Sequence, residues 1–356
     1  MKRPLCVLLP LLFCLMGLCA QADVAALDMN SPAPAPGEQY YLSDTQYQDP
    51  TLSVQVYPGG RIYDTGYLYA VITITQPGQL RTAMAFRYNS VKAVPGQMIA
   101  QANRAVLAVN ADYHTMYENG YLTRRGVNYR NRPERNWDLL IIDQHGDLHG
   151  IVEPGEEKIA QWQQEHLALQ MVDTFNFGPV LAQDGQWREV SRENMQNLYR
   201  IEGDKLASRL AICQLDALTY LIVACECPED KGSRGMTLSE FTDCLREVEG
   251  KLDGRKIQFA YNLDGGNSTT VIFHNQKINA TGKARGRELS DIIYFTTAWE
   301  EEHNAIDKCR PAHAGGAGRA GAAAGLPACA GGNKAPVAGG GCSGACRAVL
   351  YLRYPL

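Results

Sequence analysis

The chain has 356 residues, with 34 basic and 38 acidic side chains, a formal net charge of -4 and 20% charged residues. That balance excludes a basic footprint for nucleic acid and a polybasic membrane patch. The length suits one large domain or two small ones.

Lys2 and Arg3 precede an apolar stretch from Leu5 to Cys19, and Ala20-Gln21-Ala22 follows with small-x-small spacing. This is the layout of a secretory signal over residues 1–22, cleaved before Asp23. Its apolar part is shorter than the roughly 20 residues a comfortable membrane span needs. The expected mature protein is therefore secreted, with no transmembrane segment. Residues 23–39 contain Ser31-Pro32-Ala33-Pro34-Ala35-Pro36-Gly37 and read as an extended linker. The folded domain is expected over residues 40–302.

Within it, Tyr67 to Thr75 is rich in Tyr, Val, Ile and Thr and predicts a strand. Pro77-Gly78 predicts a turn, with a return strand from Leu80 to Phe86. Pro95-Gly96 opens a helical pattern through Arg104. Ala105 to Val109 is a buried strand ending at Asn110-Ala111-Asp112-Tyr113-His114, and polar groups clustered beyond an apolar strand are a common place for a site. An Asx turn capping the strand accounts for the same residues. Arg124 to Arg135 reads as a cation-rich loop. Leu139 to Asp143 and Asp147 to Val152 predict a hairpin, Pro154 to Leu169 a helix, and Arg209 to Gln214 with Leu218 to Ala224 a second hairpin. Thr237 is a helix N-cap and Glu240 completes its capping box. Leu238, Phe241, Leu245, Val248 and Leu252 continue at helical spacing, and Gly254 ends the element. Ile257 to Leu263 is a strand leading into Asp264-Gly265-Gly266-Asn267-Ser268, and Thr269 to His274 is the strand that leaves. Leu289 to Thr297 is the last strand. Together these predict an α+β fold, with mixed or antiparallel sheets and a few packed helices.

The stretch from Asn262 to Thr270 carries the chemistry. Glycines allow close backbone approach and positive φ, and successive N–H groups in such a turn can form an anion-binding nest. Asp264 at its edge is placed to give or take a proton. A Gly-rich hairpin in which Asp264 bonds its own turn fits the same residues. Cys213, Cys225, Cys227 and Cys244 allow up to two disulfides in three connectivities, or buried thiols. Cys225-x-Cys227 is too tight for a zinc pair.

Several segments, in order, resemble the phosphodiester glycosidase family. The family's N-L-D-G-G-G-S-[SA]-T signature is similar to Asn262–Thr270, its N-G-x-[FY] to Asn110–Tyr113, and its G-V-[VI]-x-R-N-G to Gly126–Asn131. Its F-G-P-V-L-x-x-D-G matches Phe177–Gly185, and R-T-A-I-G is echoed by Arg209–Cys213. The G-[MIV]-[TN]-L-x-E helix start is Gly235–Glu240, and R-x-[VL]-S is Arg287–Ser290. The departures are Ala111, Leu210, Cys213, Asn267 and Arg132.

The resemblance implies hydrolysis of a sugar-1-phosphate diester to free sugar and a phosphomonoester, on cell-surface or extracellular glycans. Asp264 is the expected catalytic carboxylate and Asp112 the second acid/base. Arg209 or Arg130, with the Gly265-Gly266 N–H groups, is expected to hold the diester charge. Asn110, Asn267, Ser268, Thr269 and Arg287 complete the expected substrate-binding set. No cofactor is required, and a divalent cation on Asp112 and Asp264 stays open. The alternative is a non-catalytic glycan- or wall-binding protein on the same scaffold, a reading the Ala111, Cys213 and Asn267 departures favour and the retained Asp112, Arg209 and Asp264 oppose.

Residues 303–356 form an expected disordered tail. From Pro311 to Cys346 about two-thirds of the residues are Gly or Ala, far from globular usage. The composition is that of an out-of-frame read of a GC-rich gene end, which intact-mass analysis of native protein would check.

Overall fold

In this computed structural model, the described residues are 27–300 apart from 89, 192–194, 196–200, 228–232 and 283–284. The chain divides into two units, Met1–Glu301 and Glu302–Leu356. The expected signal and tail lie outside the described residues, and the architecture is that of the first unit.

Among the described residues every strand pair is antiparallel, which agrees with an α+β fold and narrows the expected mixed or antiparallel sheets to the second kind. A nine-stranded sheet runs through Leu52–Ile62, Thr65–Ile74, Thr219–Cys225, Leu210–Asp216, Phe259–Leu263 and Val180–Gln183. A five-stranded sheet has Val271–Phe273, Leu107–Asn110, Asp291–Phe295 and Leu80–Met84 as consecutive neighbours. A three-stranded sheet holds Leu148–Ile151, Leu139–Asp143 and Met171–Asn176.

The centre of the large sheet is buried on both faces, which explains its unbroken apolar runs. Side chains alternate across a strand. Leu210 and Ile212 therefore join one core with Tyr220, Ile222, Leu263, Val109 and Phe273. Ala211, Cys213 and Leu215 join another with Phe241, Leu245 and Val248 of the helix Leu238–Glu249. That helix begins as its sequence predicts: Thr237 Oγ1 accepts from Glu240 N, and Glu240 returns a carboxylate oxygen to Thr237 N. The helices Gly96–Ala102 and Glu156–Glu165 cover the outer faces of the two smaller sheets. None of the described cysteines Cys213, Cys225, Cys227 and Cys244 is in a disulfide, and all but Cys227 are buried.

Two hairpin expectations fail for the same reason. Leu80–Met84 does not return along Thr65–Ile74 but pairs with Asp291–Phe295 in the other sheet. Likewise the signature does not join paired strands: Phe259–Leu263 lies in the nine-stranded sheet and Val271–Phe273 in the five-stranded one. In both cases the turn carries the chain from sheet to sheet, because each strand finds its apolar partner far away in sequence. The cation-rich stretch is also more ordered than expected, with Gly120–Arg124 and Val127–Arg132 forming an antiparallel pair.

The described part of the expected linker is fastened to the domain. Arg81, fully buried, donates from Nε to Gly78 O (2.6 Å), from Nη1 to Ser31 O (2.7 Å) and from Nη2 to Asp28 O (2.8 Å). Arg104 Nη1 holds Ala33 O at 2.6 Å, and Ala33 is buried. Proline-rich sequence supplies carbonyls without competing N–H donors, which suits it to guanidinium anchors.

Candidate active site

Three strand ends converge. Leu107–Asn110 delivers Asp112 and His114, the start of Asp291–Phe295 delivers Asp291, and the signature crossing delivers Asp264. Between Asp112 and His114, Tyr113 sits in the left-handed region at φ 56°. That conformation is costly for a residue with a Cβ and concentrates at functional sites.

The convergence is organised by Arg124, at the end of Gly120–Arg124. Its Nη2 lies 2.7 Å from Asp291 Oδ2 and 3.1 Å from Asp112 Oδ1. Its Nη1 donates to the carbonyls of Thr123 and Thr174, and the guanidinium lies over the Phe175 ring at 4.2 Å. Asp112 Oδ2 accepts from Asn176 N at 2.8 Å, and His114 Nδ1 lies 3.3 Å from Asp291 Oδ2. Asp112, His114 and Asp291 offer ligand atoms within 4.8 Å of one another. Arg124 already rests against both carboxylates and supplies the positive charge a cation would bring.

Burial works against every carboxylate here, and neighbours decide the outcome. For Asp291 the charges of His114 and Arg124 outweigh burial and hold the carboxyl well below its usual range. For Asp112 burial outweighs Arg124, so its proton affinity rises. Burial also pushes Asp264 up, to about 6, against the opposing pull of Ser268 and Arg287.

The structure gives the expected residues different tasks. Asn110 Nδ2 donates to Asp264 O (2.8 Å) and its Oδ1 accepts from Thr270 N (2.9 Å). It thus clamps both ends of the signature loop. Gly266 N donates to Ser208 O at 2.8 Å, so that N–H is committed to the scaffold rather than to an anion. Gly265 is required by approach: a Cβ there would stand 2.6 Å from the Ser208 carbonyl oxygen. Arg209 is buried, and its guanidinium is spent on the carbonyls of Met236 (3.2 Å), Glu202 (2.9 Å) and Lys205 (2.7 Å). It builds the 201–205 turn and offers no exposed cation. Arg130 braces the site from outside, through Nη2 to His114 O (3.1 Å), Nη1 to Asn119 O (2.7 Å) and Nε to Tyr88 Oη (2.9 Å).

Arg287 is exposed, lies over the Tyr113 ring at 5.0 Å, reaches Ser268 Oγ at 3.4 Å and attracts the Asp264 carboxylate. Ser268 and Thr269 are buried beneath the loop, and Asn267 is exposed on it. An open cavity of about 300 Å³ adjoins, lined by Tyr88, Thr115, Tyr117, Glu118, Arg130 and Arg132.

Sequence reasoning missed Arg124 and Asp291 and left His114 without a role. Arg124 was hidden in a run of cations that looked solvated. Asp291 did carry a signal: an acid opening a buried, β-branched strand.

The family model for phosphodiester glycosidases matches residues 103–296, more than half of the chain and all three strand ends that form the site. The chain belongs to the phosphodiester glycosidase family. Among solved structures, the zebrafish N-acetylglucosamine-1-phosphodiester alpha-N-acetylglucosaminidase catalytic domain, auto-inhibited by its pro-peptide, is similar at a TM-score of 0.52 and 16% identity, over 74% of this chain and 87% of that one. At that identity the likeness is one of fold. A hypothetical protein from Synechocystis is similar at a TM-score of 0.47 and 15% identity, over 68% of this chain. The chain spans 62% of that protein's length. No curated protein matches in sequence. Membership in the phosphodiester glycosidase family supports a glycosidase-type function for the chain.

Proposed function

We propose that this phosphodiester glycosidase hydrolyses a sugar-1-phosphate diester, releasing free sugar and leaving a phosphomonoester on the partner group. We infer from the N-terminal leader that it acts outside the cytoplasm, on cell-surface or extracellular glycans. The zebrafish relative's name, with its N-acetylglucosamine-1-phosphodiester, points to the same bond class. The observation that carries the reading is Asp264, whose carboxyl burial raises to about 6 against the pull of Ser268 and the exposed cation Arg287. A diester bears one negative charge, which Arg287 balances. Arg287 takes the anion-holding task first expected of Arg209.

A carboxyl raised toward neutral pH suits Asp264 to proton transfer, since a general base works best with its pKa near the working pH. In this reading Asp264 removes the proton from the water that attacks the sugar C1. Asp112, with both oxygens occupied by Arg124 and Asn176, sets the field and the shape of the floor. The competing reading is a non-catalytic glycan-binding protein, which the commitment of Arg209 and Gly266 to the scaffold favours.

The test is to incubate the mature chain with an α-N-acetylglucosaminyl phosphodiester of methyl mannoside and follow sugar release by mass spectrometry. Release that vanishes in Asp264→Asn supports the enzyme. Binding by calorimetry with no release supports the alternative.

A further inference from the structure

We propose that the cavity between the proline-rich segment and the outer face of the five-stranded sheet binds a phosphate group, free or on a small organic ester, held by Arg104 and Arg125 over a floor of Arg81. The inference goes beyond the diester reading and does not depend on it.

The cavity measures about 170 Å³, and its wall includes Arg81, Arg104, Arg125, Tyr294, Asn30 and Ser31. Among the described residues no carboxylate lines it. Arg124, Arg188, Arg234 and Arg246 are ion-paired, but among the described residues Arg81, Arg104 and Arg125 are not. Arg81 is 2% exposed and donates to the carbonyls of Gly78, Ser31 and Asp28. Carbonyls satisfy its N–H groups without cancelling its charge, and a buried charge is costly unless paired. Burial, and then the neighbouring charge of Arg125, draw its proton affinity down.

The other two guanidiniums are lightly used. Arg104 gives Nη1 to Ala33 O, and Arg125 reaches Thr82 O from Nη2 at 3.4 Å and also meets the Tyr294 hydroxyl. Most of their donors are left to the cavity. The nearby carboxylates are turned elsewhere. Asp28 accepts from Asn30 N and Ser31 Oγ, each at 2.9 Å. Asp173 Oδ1 accepts from Thr82 Oγ1 at 2.6 Å and from Arg125 N at 3.0 Å.

The backbone carries an independent signal. Arg104 (φ 57°) and Arg125 (φ 51°) both lie in the left-handed region. Arg104 stands just past the helix Gly96–Ala102, where Gly or Asn is the usual residue. Arg125 and Gly126 turn the hairpin between Gly120–Arg124 and Val127–Arg132, where Asn-Gly is the usual pair. Two arginines set against backbone preference, with their side chains in one cavity, are there for those side chains. A guanidinium fork engages phosphate oxygens two at a time. Forks from two elements suit a tetrahedral anion better than a planar carboxylate. With Asn30 and Ser31 in the same wall, the anion would also fasten the proline-rich segment to the domain.

This cavity is separate from the catalytic cluster. Arg124 faces that cluster and Arg125 faces the cavity. Tyr294 stands about 10 Å along its strand from Asp291. It packs outward with Ile292, whereas Ile293 packs inward.

The experiment titrates the full mature chain with inorganic phosphate, methyl phosphate and chloride at equal ionic strength, by calorimetry. The variants are Arg104→Gln, Arg125→Gln, Arg104→Lys and Arg287→Gln, the last removing the exposed cation of the catalytic loop. Phosphate is expected to bind the parent and Arg287→Gln alike, and each Gln variant at Arg104 or Arg125 about tenfold or more weakly. Arg104→Lys, which keeps the charge, should fall between. Saturating phosphate should slow limited proteolysis within residues 28–36 in the proteins that bind it. Tighter binding of methyl phosphate assigns an ester as the occupant, and tighter binding of inorganic phosphate assigns the free ion. Three results would overturn the proposal: no binding at millimolar phosphate, binding lost in Arg287→Gln but kept in Arg104→Gln and Arg125→Gln, or equal protection by chloride.

Discussion

The Arg124 guanidinium and the Asp291 carboxylate meet at 2.7 Å with 3% and 1% of their side chains accessible. A charge pair this deep is weak evidence of net stabilisation, because desolvation offsets most of the attraction. Breaking it is another matter. Arg124→Met leaves Asp112 and Asp291 buried without a cation, and the expected loss is about 3–5 kcal/mol in urea unfolding. Arg124→Lys is expected to fall between the two, since an ammonium cannot span both carboxylates in the plane of a guanidinium.

Asp264 is expected to set the acid side of the activity profile. Its folded-state pKa, about 6, lies above the ordinary carboxylate value because burial disfavours the charge. Activity is expected to rise as pH increases through about 6, as the base form appears. Stability moves oppositely. The contribution of the protonated form is fully present below the unfolded pKa and is lost as pH rises through the folded one. Asp264→Asn should therefore melt higher than the parent at neutral pH and show a flatter dependence on pH, measured by calorimetry across the range, while releasing no sugar.

Gly265→Ala tests whether the signature glycine serves ligand or scaffold. The added methyl would meet the Ser208 carbonyl oxygen at 2.6 Å. Backbone cannot step aside as a flexible side chain can, so the loop is expected to shift and carry Asp264 with it. Sugar release should fall by about 10²-fold, the loss expected from an ångström of misplacement. A variant with parent activity would show that the loop relaxes elsewhere.

Arg81→Ala addresses the proline-rich segment. Three guanidinium hydrogen bonds would be lost, two of them to residues 28 and 31. The expected cost is about 3 kcal/mol, given the usual worth of charge-assisted bonds. Limited proteolysis should then cut between Asp28 and Pro36, where the parent resists.

Much of the scaffold was legible because its signals are local. The Thr237 capping box, the spacing of Phe241, Leu245 and Val248, and the apolar run into Leu263 each depend on a few neighbouring residues. What was not legible depends on distant partners. Nothing near Pro77-Gly78 says that Leu80–Met84 will pair with Asp291–Phe295. Nothing near Asp264 says that its two flanking strands part company. The same limit explains the site. Arg124 looks solvated in a row of cations until folding places Asp112 and Asp291 against it. Arg209 looks like a phosphate clamp until the carbonyls of the 201–205 turn close around it. Tracing resemblance through order and spacing pointed to Asp264 but could not say which arginine faces solvent.

Thr65–Ile74 pairs along the whole of Thr219–Cys225, and Leu80–Met84 along the whole of Asp291–Phe295. Both early strands precede residue 103, where the family match begins. An expression clone trimmed to the matched region would therefore strip one neighbour from a central strand of each large sheet. It would expose two rows of unpaired backbone groups flanked by Ile222, Val223, Ile292 and Ile293, the kind of open apolar edge that recruits other chains. Such a fragment belongs in inclusion bodies, and any survey of this family by domain-trimmed expression would score it as inactive for a reason unrelated to its chemistry.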